Sequence, residues 1–369
     1  MDKDFTERLL AWFDIHGRHD LPWQKTSNWY TRILSEVMLQ QTQVKTVIPY
    51  FEKFLNAYPT PEALAHAHDE DVMALWAGLG YYSRARNLLK AIRTVVFDYE
   101  GRCPQTAKAL AELPGIGLST AGAVSSSVFG ERAVMADGNA KRVICRVWGI
   151  PGYVGQTSFE KAVWAKAEQL LPASERMADY TQALMDIGAL LCKRRPECDR
   201  CPMQTVCDAY ASGSPTDFPA SKPKKVRPIR YARAFFLVGE EQCWVLKKQQ
   251  KGVWEGLWLP PLVESDDKNA LLGQPWDAFW RPALRERMLE AQRAVLPQMM
   301  WPHDFSHYRL EIYPSVIELK PGCVPVGFDG EALEPLPFKA LDRLGLPSPI
   351  RKLLDQCVLN QTMDSLFSH

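Results

Sequence analysis

The sequence predicts a mostly α N-terminal region followed by a smaller α/β domain, and three observations carry that reading. Up to about residue 212, apolar positions recur at the helical period between glycine- and proline-marked turns. From Ser212 to Pro228 the composition changes to proline, glycine, serine and charge, as in a linker. Beyond it, Ala234–Val238, Cys243–Lys248 and Leu310–Ile317 read as short strands. The predicted domains are therefore 1–212, a linker at 213–229, and 230–369.

Size and composition bound the function. A chain of 369 residues with 46% hydrophobic content exceeds one ordinary core. The net charge of +1 does not announce a nucleic-acid binder, so local charge has to carry that argument. No apolar run approaches membrane-spanning length, and the N-terminus lacks a signal-peptide pattern. A cytoplasmic protein without a membrane partner is expected. Four of the nine cysteines fall between Cys192 and Cys207, which suits a reduced compartment and one metal site rather than a disulfide framework.

Taken in order, residues 5–19 predict an amphipathic helix ending near Gly17, followed by an extended Leu21-Pro-Trp23-Gln24. A helix from Tyr30 to about Thr46 carries Glu36, Gln40 and Gln43 on one stripe. That stripe is either a solvated face or, with Val37 and Met38 flanking Glu36, a setting that raises a carboxyl pKa. Pro59 to about Ala77 reads as helix and turn. Gly78-Leu-Gly80-Tyr81-Tyr82-Ser-Arg84-Ala-Arg86 puts tyrosines on a turn beside cations, which suits base stacking and phosphate contact. One tyrosine buried and one exposed is the alternative.

Leu113-Pro-Gly115-Ile-Gly117-Leu-Ser119-Thr120 forbids a continuous helix, and Ser119 or Thr120 can cap a new one. The expected helix pair has backbone N–H groups at its hairpin, an uncharged phosphate cradle. Asp137-Gly-Asn139 then precedes a helix over Ala140–Trp148, which either side chain can cap. A carboxylate at a helix N-terminus is expected to stay ionised. Met177 to Leu191 forms another apolar helix. Cys192-x5-Cys198-x2-Cys201-x5-Cys207 is a metal-ligand spacing, for zinc or an iron–sulfur cluster. Between Cys192 and Arg233 stand ten basic residues against four acidic ones, a phosphate-binding patch hidden by the global charge.

The hairpin with Asp137, together with Glu36 in Ser-Glu-Val-Met-Leu-Gln-Gln-Thr and the cysteine cluster, resembles the helix-hairpin-helix DNA glycosylases, within them the MutY family. The resemblance covers nearly the whole chain. It implies two helical modules with the active site between them. Glu36 is then the general acid on adenine N7, and Asp137 faces the oxocarbenium-like sugar. It further implies Trp23 lining the base pocket (core packing being the alternative), Gln182 near the adenine edge or a plain surface residue, and Asn139 orienting backbone or phosphate. Gln41 and Tyr82 become wedges into the duplex, with Arg84, Arg86, Gly115 and Gly117 on DNA. Endonuclease III-type relatives carry a Schiff-base lysine where Ser119 stands, so hydrolysis without strand cleavage is implied. Cys192, Cys198, Cys201 and Cys207 would hold a [4Fe–4S] cluster, although the family usually has six residues in the first interval. Asn28-Trp29 and Ile33 are further departures, where the family has a Thr-Pro-type pair and tryptophan.

Gly252-Val-Trp-Glu-Gly-Leu-Trp-Leu-Pro-Pro261 looks like a loop of Nudix-type folds. Arg285-Glu286-Arg-Met-Leu-Glu290 lacks part of the metal-binding box of Nudix pyrophosphatases, so a Nudix-like binding domain without hydrolase activity is expected. Phe305-Ser306-His307 resembles the loop by which the family recognises 8-oxoguanine. The implied partner is double-stranded DNA containing adenine opposite 8-oxoguanine or guanine, met by a monomer near the nucleoid. The competing readings are an endonuclease III-like glycosylase/lyase on oxidised pyrimidines, a non-catalytic damage-binding protein, and a nucleotide pyrophosphatase.

Overall fold

The computed structural model describes residues 2–25, 28–223, 226–239, 242–247, 254–288, 291–295, 299–305, 307–341 and 344–356. It forms two compact units, Met1–Ala67 with Ser83–Lys224, and His68–Tyr82 with Lys225–His369.

The helices up to residue 212 are α1 (Asp2–His16), α2 (Trp29–Leu39), α3 (Val44–Ala57), α4 (Pro61–Ala65), α5 (Asp69–Trp76), α6 (Ser83–Arg93), α7 (Ala107–Leu110), α8 (Leu118–Phe129), α9 (Gly138–Val147), α10 (Thr157–Gln169), α11 (Met177–Leu190) and α12 (Asp208–Ala211). All but α5 belong to the first unit. Phe5, Leu9 and Phe13 repeat at helical spacing and bury one face of α1 against α9, α10 and α11, where Ile144, Val163 and Leu184 complete the core. A second group forms as α2 packs on α3, α6 and α8. Ile33 is fully buried there, and Asn28 caps α2 by accepting from the Tyr30 N–H at 2.8 Å. The departures noted around Asn28 and Ile33 are thus accommodated by a cap and by core packing.

The helix predicted from Tyr30 to Thr46 is two helices. Gln41 takes a left-handed φ of 60°, which ends α2 before α3 starts at Val44. Gln43 therefore leaves the stripe that Glu36 occupies. Buried Arg84 donates to the carbonyls of Val37 (3.0 Å), Met38 (2.9 Å) and Gln40 (2.6 Å), satisfying the open end of α2.

The second unit is built on a mixed sheet. Its strands are β1 (Ile229–Gly239), β2 (Gln242–Lys247), β3 (Trp258–Leu259), β4 (Leu262–Ser265), β5 (Ala291–Val295), β6 (Trp301–Asp304), β7 (Arg309–Leu319) and β8 (Glu334–Pro337). The order is β3-β2-β1-β7-β5, with β4 on β1, β6 on β7 and β8 on β2. β1 and β7 run parallel from Ile229↔Arg309 to Val238↔Glu318. Alternate residues Phe235, Leu237, Ile317 and Leu319 face Trp280 and Trp244 in the core. Residues 68–82 join this unit: the Tyr82 hydroxyl donates to the Leu346 carbonyl at 3.1 Å.

Candidate active site

Two carboxyl groups converge in the first unit. Glu36 lies on α2 with its side chain 11% exposed. Asp137 is the N-cap of α9, where Oδ1 accepts from the N–H groups of Asn139 (3.0 Å) and Ala140 (2.7 Å). Two glycines allow the neighbours in. A Cβ on Gly122 would lie 1.9 Å from the Val134 carbonyl oxygen, so glycine is what lets α8 touch the segment leading to Asp137. A Cβ on Gly188 would lie 2.7 Å from Asn139 Cβ, and its absence lets α11 close on the same turn. Burial pushes Glu36 above the ordinary carboxyl range, with the opposing Arg32 charge lowering it and the Asp137 charge raising it. Burial also raises Asp137, against the pull of its two backbone N–H groups and of Arg142 and Lys141. Desolvation thus outweighs the cap in setting the direction of the Asp137 shift. A desolvated carboxyl within range of a second carboxylate is disfavoured as the anion, and Glu36 is in that position.

A cleft of about 310 Å³ in the same unit is lined by Trp23, Gln24, Arg32, Ser127 and Gln182, among others. Trp23 is both wall and core, since it is 2% exposed and packs edge-on against Phe51 with centroids 5.5 Å apart. Gln182 is buried rather than a surface residue. Its Nε2 donates to Asp186 Oδ1 at 2.7 Å. Asp186 is fully buried and also accepts from Arg18 Nε (3.0 Å), Nη2 (2.6 Å) and the Arg18 backbone N–H (2.7 Å). Arg32 is 5% exposed, and its Nη2 stands 3.1 Å from Glu36 Oε1 without an N–H aligned on that oxygen. Sequence reasoning missed Arg32 and Asp186. Their only signal was a charge inside an otherwise apolar helical run, where burial demands a partner.

The hairpin joins α7 to α8, with Gly115 at φ 76°. α8 begins at N-cap Gly117 with no side-chain cap, so the capping role expected of Ser119 or Thr120 is corrected. Thr120 instead accepts from Gln40 Nε2 at 3.2 Å. The first-turn N–H groups of α8 are thus left to other acceptors, beside half-buried Ser119 and exposed Leu118. Lys141 is held by Glu160 at 2.5 Å. Gln41 is exposed and Arg86 half-buried. Arg84, expected on DNA, is instead spent on the α2 carbonyls, and Tyr82 is half-buried by its bond to Leu346. Tyr81, 52% exposed at φ 49°, is the tyrosine that presents its ring.

Cys192, Cys198, Cys201 and Cys207 line one cavity with Val143, Arg146 and Ile187. Among the described residues, no three His, Cys, Asp or Glu side chains converge closely enough for a single ion. Burial pushes the Cys201 thiol up to about 12, with the other three thiols acting in the same direction. Arg146 approaches Cys192 Sγ at 3.4 Å and donates to the Lys193 carbonyl at 2.6 Å. Asn139 is committed to Arg142, whose Nη2 donates to Asn139 Oδ1 at 2.7 Å while Nε donates to the Cys192 carbonyl at 2.7 Å. Arg194 and Arg195 are exposed.

In the second unit, Phe305 is half-buried against Trp254, His303 and Tyr308, with centroids at 5.6, 4.5 and 4.9 Å. Its backbone N–H donates to the Tyr308 carbonyl at 2.9 Å, and His307 is exposed. Ser306 lies outside the described residues, as do Gly252, Val253 and Glu290. Arg285 donates to the carbonyls of Trp280 (3.3 Å) and Ala278 (3.2 Å).

Comparison with known proteins places both parts of the chain in known families. Residues 34–169 match the HhH-GPD superfamily of base excision DNA repair proteins, and residues 233–356 match the NUDIX domain. An adenine DNA glycosylase of Buchnera aphidicola subsp. Schizaphis graminum is 32% identical over 356 residues, covering 95% of this chain and 98% of that protein. The Homo sapiens adenine DNA glycosylase is 43% identical over 215 residues, which is 56% of this chain and 39% of that protein. The solved structure of a thermostable thymine-DNA glycosylase aligns with a TM-score of 0.50 at 32% identity, over 57% of this chain and 97% of that one.

Proposed function

The chain belongs to the adenine DNA glycosylase family, base-excision repair enzymes that hydrolyse the N-glycosidic bond, and from that premise we propose how its residues carry the reaction and on which substrate. The substrate is adenine opposite 8-oxoguanine or guanine in duplex DNA, turned out of the stack so that the glycosidic bond can be reached. Glu36, kept protonated by burial, gives its proton to adenine N7 as the C1′–N9 bond breaks and the base departs neutral. Asp137, as carboxylate, stabilises the positive charge that develops on the sugar. The Glu36 carboxylate then takes a proton from the attacking water, which restores the acid and leaves an abasic site. The observation that carries this reading is the pair of half-buried carboxyl groups on α2 and at the α9 turn, close enough that the Asp137 charge raises Glu36.

Strand cleavage is not part of the reaction. Ser119 cannot form an imine, and the Lys141 ammonium is paired with Glu160. Exposed Gln41 and Tyr81 are suited to fill the space left by the extruded base, and the uncapped start of α8 suits a DNA phosphate. The His307 and Phe305 loop, with Ser306, is assigned to the 8-oxoguanine. Four thiols around one cavity fit a [4Fe–4S] cluster held by Cys192, Cys198, Cys201 and Cys207 better than one zinc ion. Such a cluster would brace the loop that carries Arg194 and Arg195 toward phosphate. The protein acts as a monomer in the cytoplasm, at the nucleoid. Among the described residues no helix is long and apolar enough to cross a membrane.

The test is a duplex with adenine opposite 8-oxoguanine, analysed with and without alkali. Base loss that becomes a strand break only after alkali is expected. Breaks that appear without alkali at the rate of base loss would instead assign a lyase.

A further inference from the structure

We infer that Arg32 is a base-reading residue, whose guanidinium donates to N1 of the extruded adenine and rejects guanine there; this rests on the adenine-glycosylase reading. Arg32 lies one turn before Glu36 on α2 and lines the 310 Å³ cleft with Trp23 and Gln182. Its Nε and Nη2 are buried and have no hydrogen-bond partner in the protein. The nearest carboxylate, Glu36, sits 3.1 Å from Nη2 but accepts no aligned N–H. Buried guanidinium donors without acceptors are rare, because desolvation is then uncompensated. A ligand that brings an acceptor into the cleft removes that deficit.

The surrounding groups specify which acceptor. Glu36, whose Oε1 stands 3.1 Å from Arg32 Nη2, is in the proposed reaction the donor for N7. Gln182 gives its Nε2 to Asp186, which the paired Arg18 holds in place, so the Gln182 oxygen is the atom left for the base. That oxygen accepts from the adenine N6 amino group. An arginine has no acceptor, so its partner on the same edge is N1. Guanine reverses both atoms: its O6 would face the Gln182 oxygen and its N1–H would face Arg32. Two mismatched contacts on one edge reject it, as a site with buried polar groups does.

The experiment compares single-turnover excision of adenine, 1-deazaadenine and 3-deazaadenine, each opposite 8-oxoguanine, by the full-length protein and by Arg32→Met. In the wild type, 1-deazaadenine is expected to react about 10- to 100-fold more slowly than adenine, the range of a lost charge-assisted hydrogen bond. In Arg32→Met that adenine to 1-deazaadenine ratio shrinks toward one, whereas the ratio to 3-deazaadenine stays as in the wild type. The same 1-deaza ratio in both proteins overturns the assignment to Arg32. A change confined to 3-deazaadenine overturns the assignment to N1. No excision of adenine by the wild type overturns the glycosylase reading itself, a separate result. Should Arg32→Met not fold, Arg32→Leu, which likewise carries no donor, is read by the same ratio.

Discussion

Asp137 caps α9 and, in the proposed reaction, stabilises charge, and the residue scale is where the two tasks separate. As an N-cap it satisfies two backbone N–H groups, a task that asparagine performs about equally well. As a charge stabiliser it needs the carboxylate, which burial disfavours. Asp137→Asn should therefore abolish base release in single turnover while melting no lower than the wild type at pH 7.5. The sign follows from linkage. A carboxyl whose folded pKa is raised binds protons more readily in the native state, so wild-type stability rises as pH falls through that folded value. The melting temperatures of the two proteins should converge over that interval. The proposed reaction needs Glu36 protonated and Asp137 ionised. Both lie above their ordinary values, so the rate should decline at high pH as Glu36 loses its proton, with the acid limb set by Asp137. A pH–rate profile in single turnover checks this. A rate that climbs steadily with pH would remove Glu36 as the acid.

At the scale of elements, the site depends on where helices stop and how closely they approach. Gly122→Ala places a methyl group on the Val134 carbonyl, a backbone atom that cannot swing away. About 1–3 kcal/mol of stability should be lost, as for overpacking elsewhere, with slower excision because Asp137 follows Val134 by three residues. Thermal melting and single-turnover rates measure the two effects. Arg84 was expected on DNA from its place beside two tyrosines and Arg86, but it closes the end of α2. Arg84→Met should lower stability by about 1.5–3 kcal/mol, the range for hydrogen bonds to a charged group, and leave the salt dependence of DNA binding unchanged. Denaturant unfolding and a salt titration decide between the two roles.

At the scale of the molecule, charge is distributed rather than accumulated. The chain carries a net charge of +1, yet Arg194 and Arg195 are exposed on the cysteine loop while Arg142 and Arg146 are turned inward to carbonyls. Replacing Arg194 and Arg195 with serine should reduce the slope of log affinity against log salt by about 2, at about 0.9 for each phosphate no longer neutralised, and weaken binding to matched and mismatched duplexes alike. A preserved slope would mean that neither arginine touches phosphate. The division into two units also differs in kind from a cut at one linker. Residues 68–82 fold with the later chain, and Tyr82 is tied to Leu346, so a truncation near Lys224 would strip that segment of its partners.

Periodicity, glycine placement and cysteine spacing made much of this protein legible without coordinates: the helical region, the strands in β1 and β7, the cap at Asp137 and the four thiols that share a cavity. These are local signals, written within about twenty residues of one another. The fate of Arg84, the choice between Tyr81 and Tyr82, the break after Leu39, and the pairing of Asp186 with Gln182 and Arg18 were decided only by the tertiary structure. Each turns on which group happens to stand opposite once distant segments pack, and whether a charge is buried against a carbonyl or left facing a cleft is a property of that neighbour, not of the residue's own position in the chain.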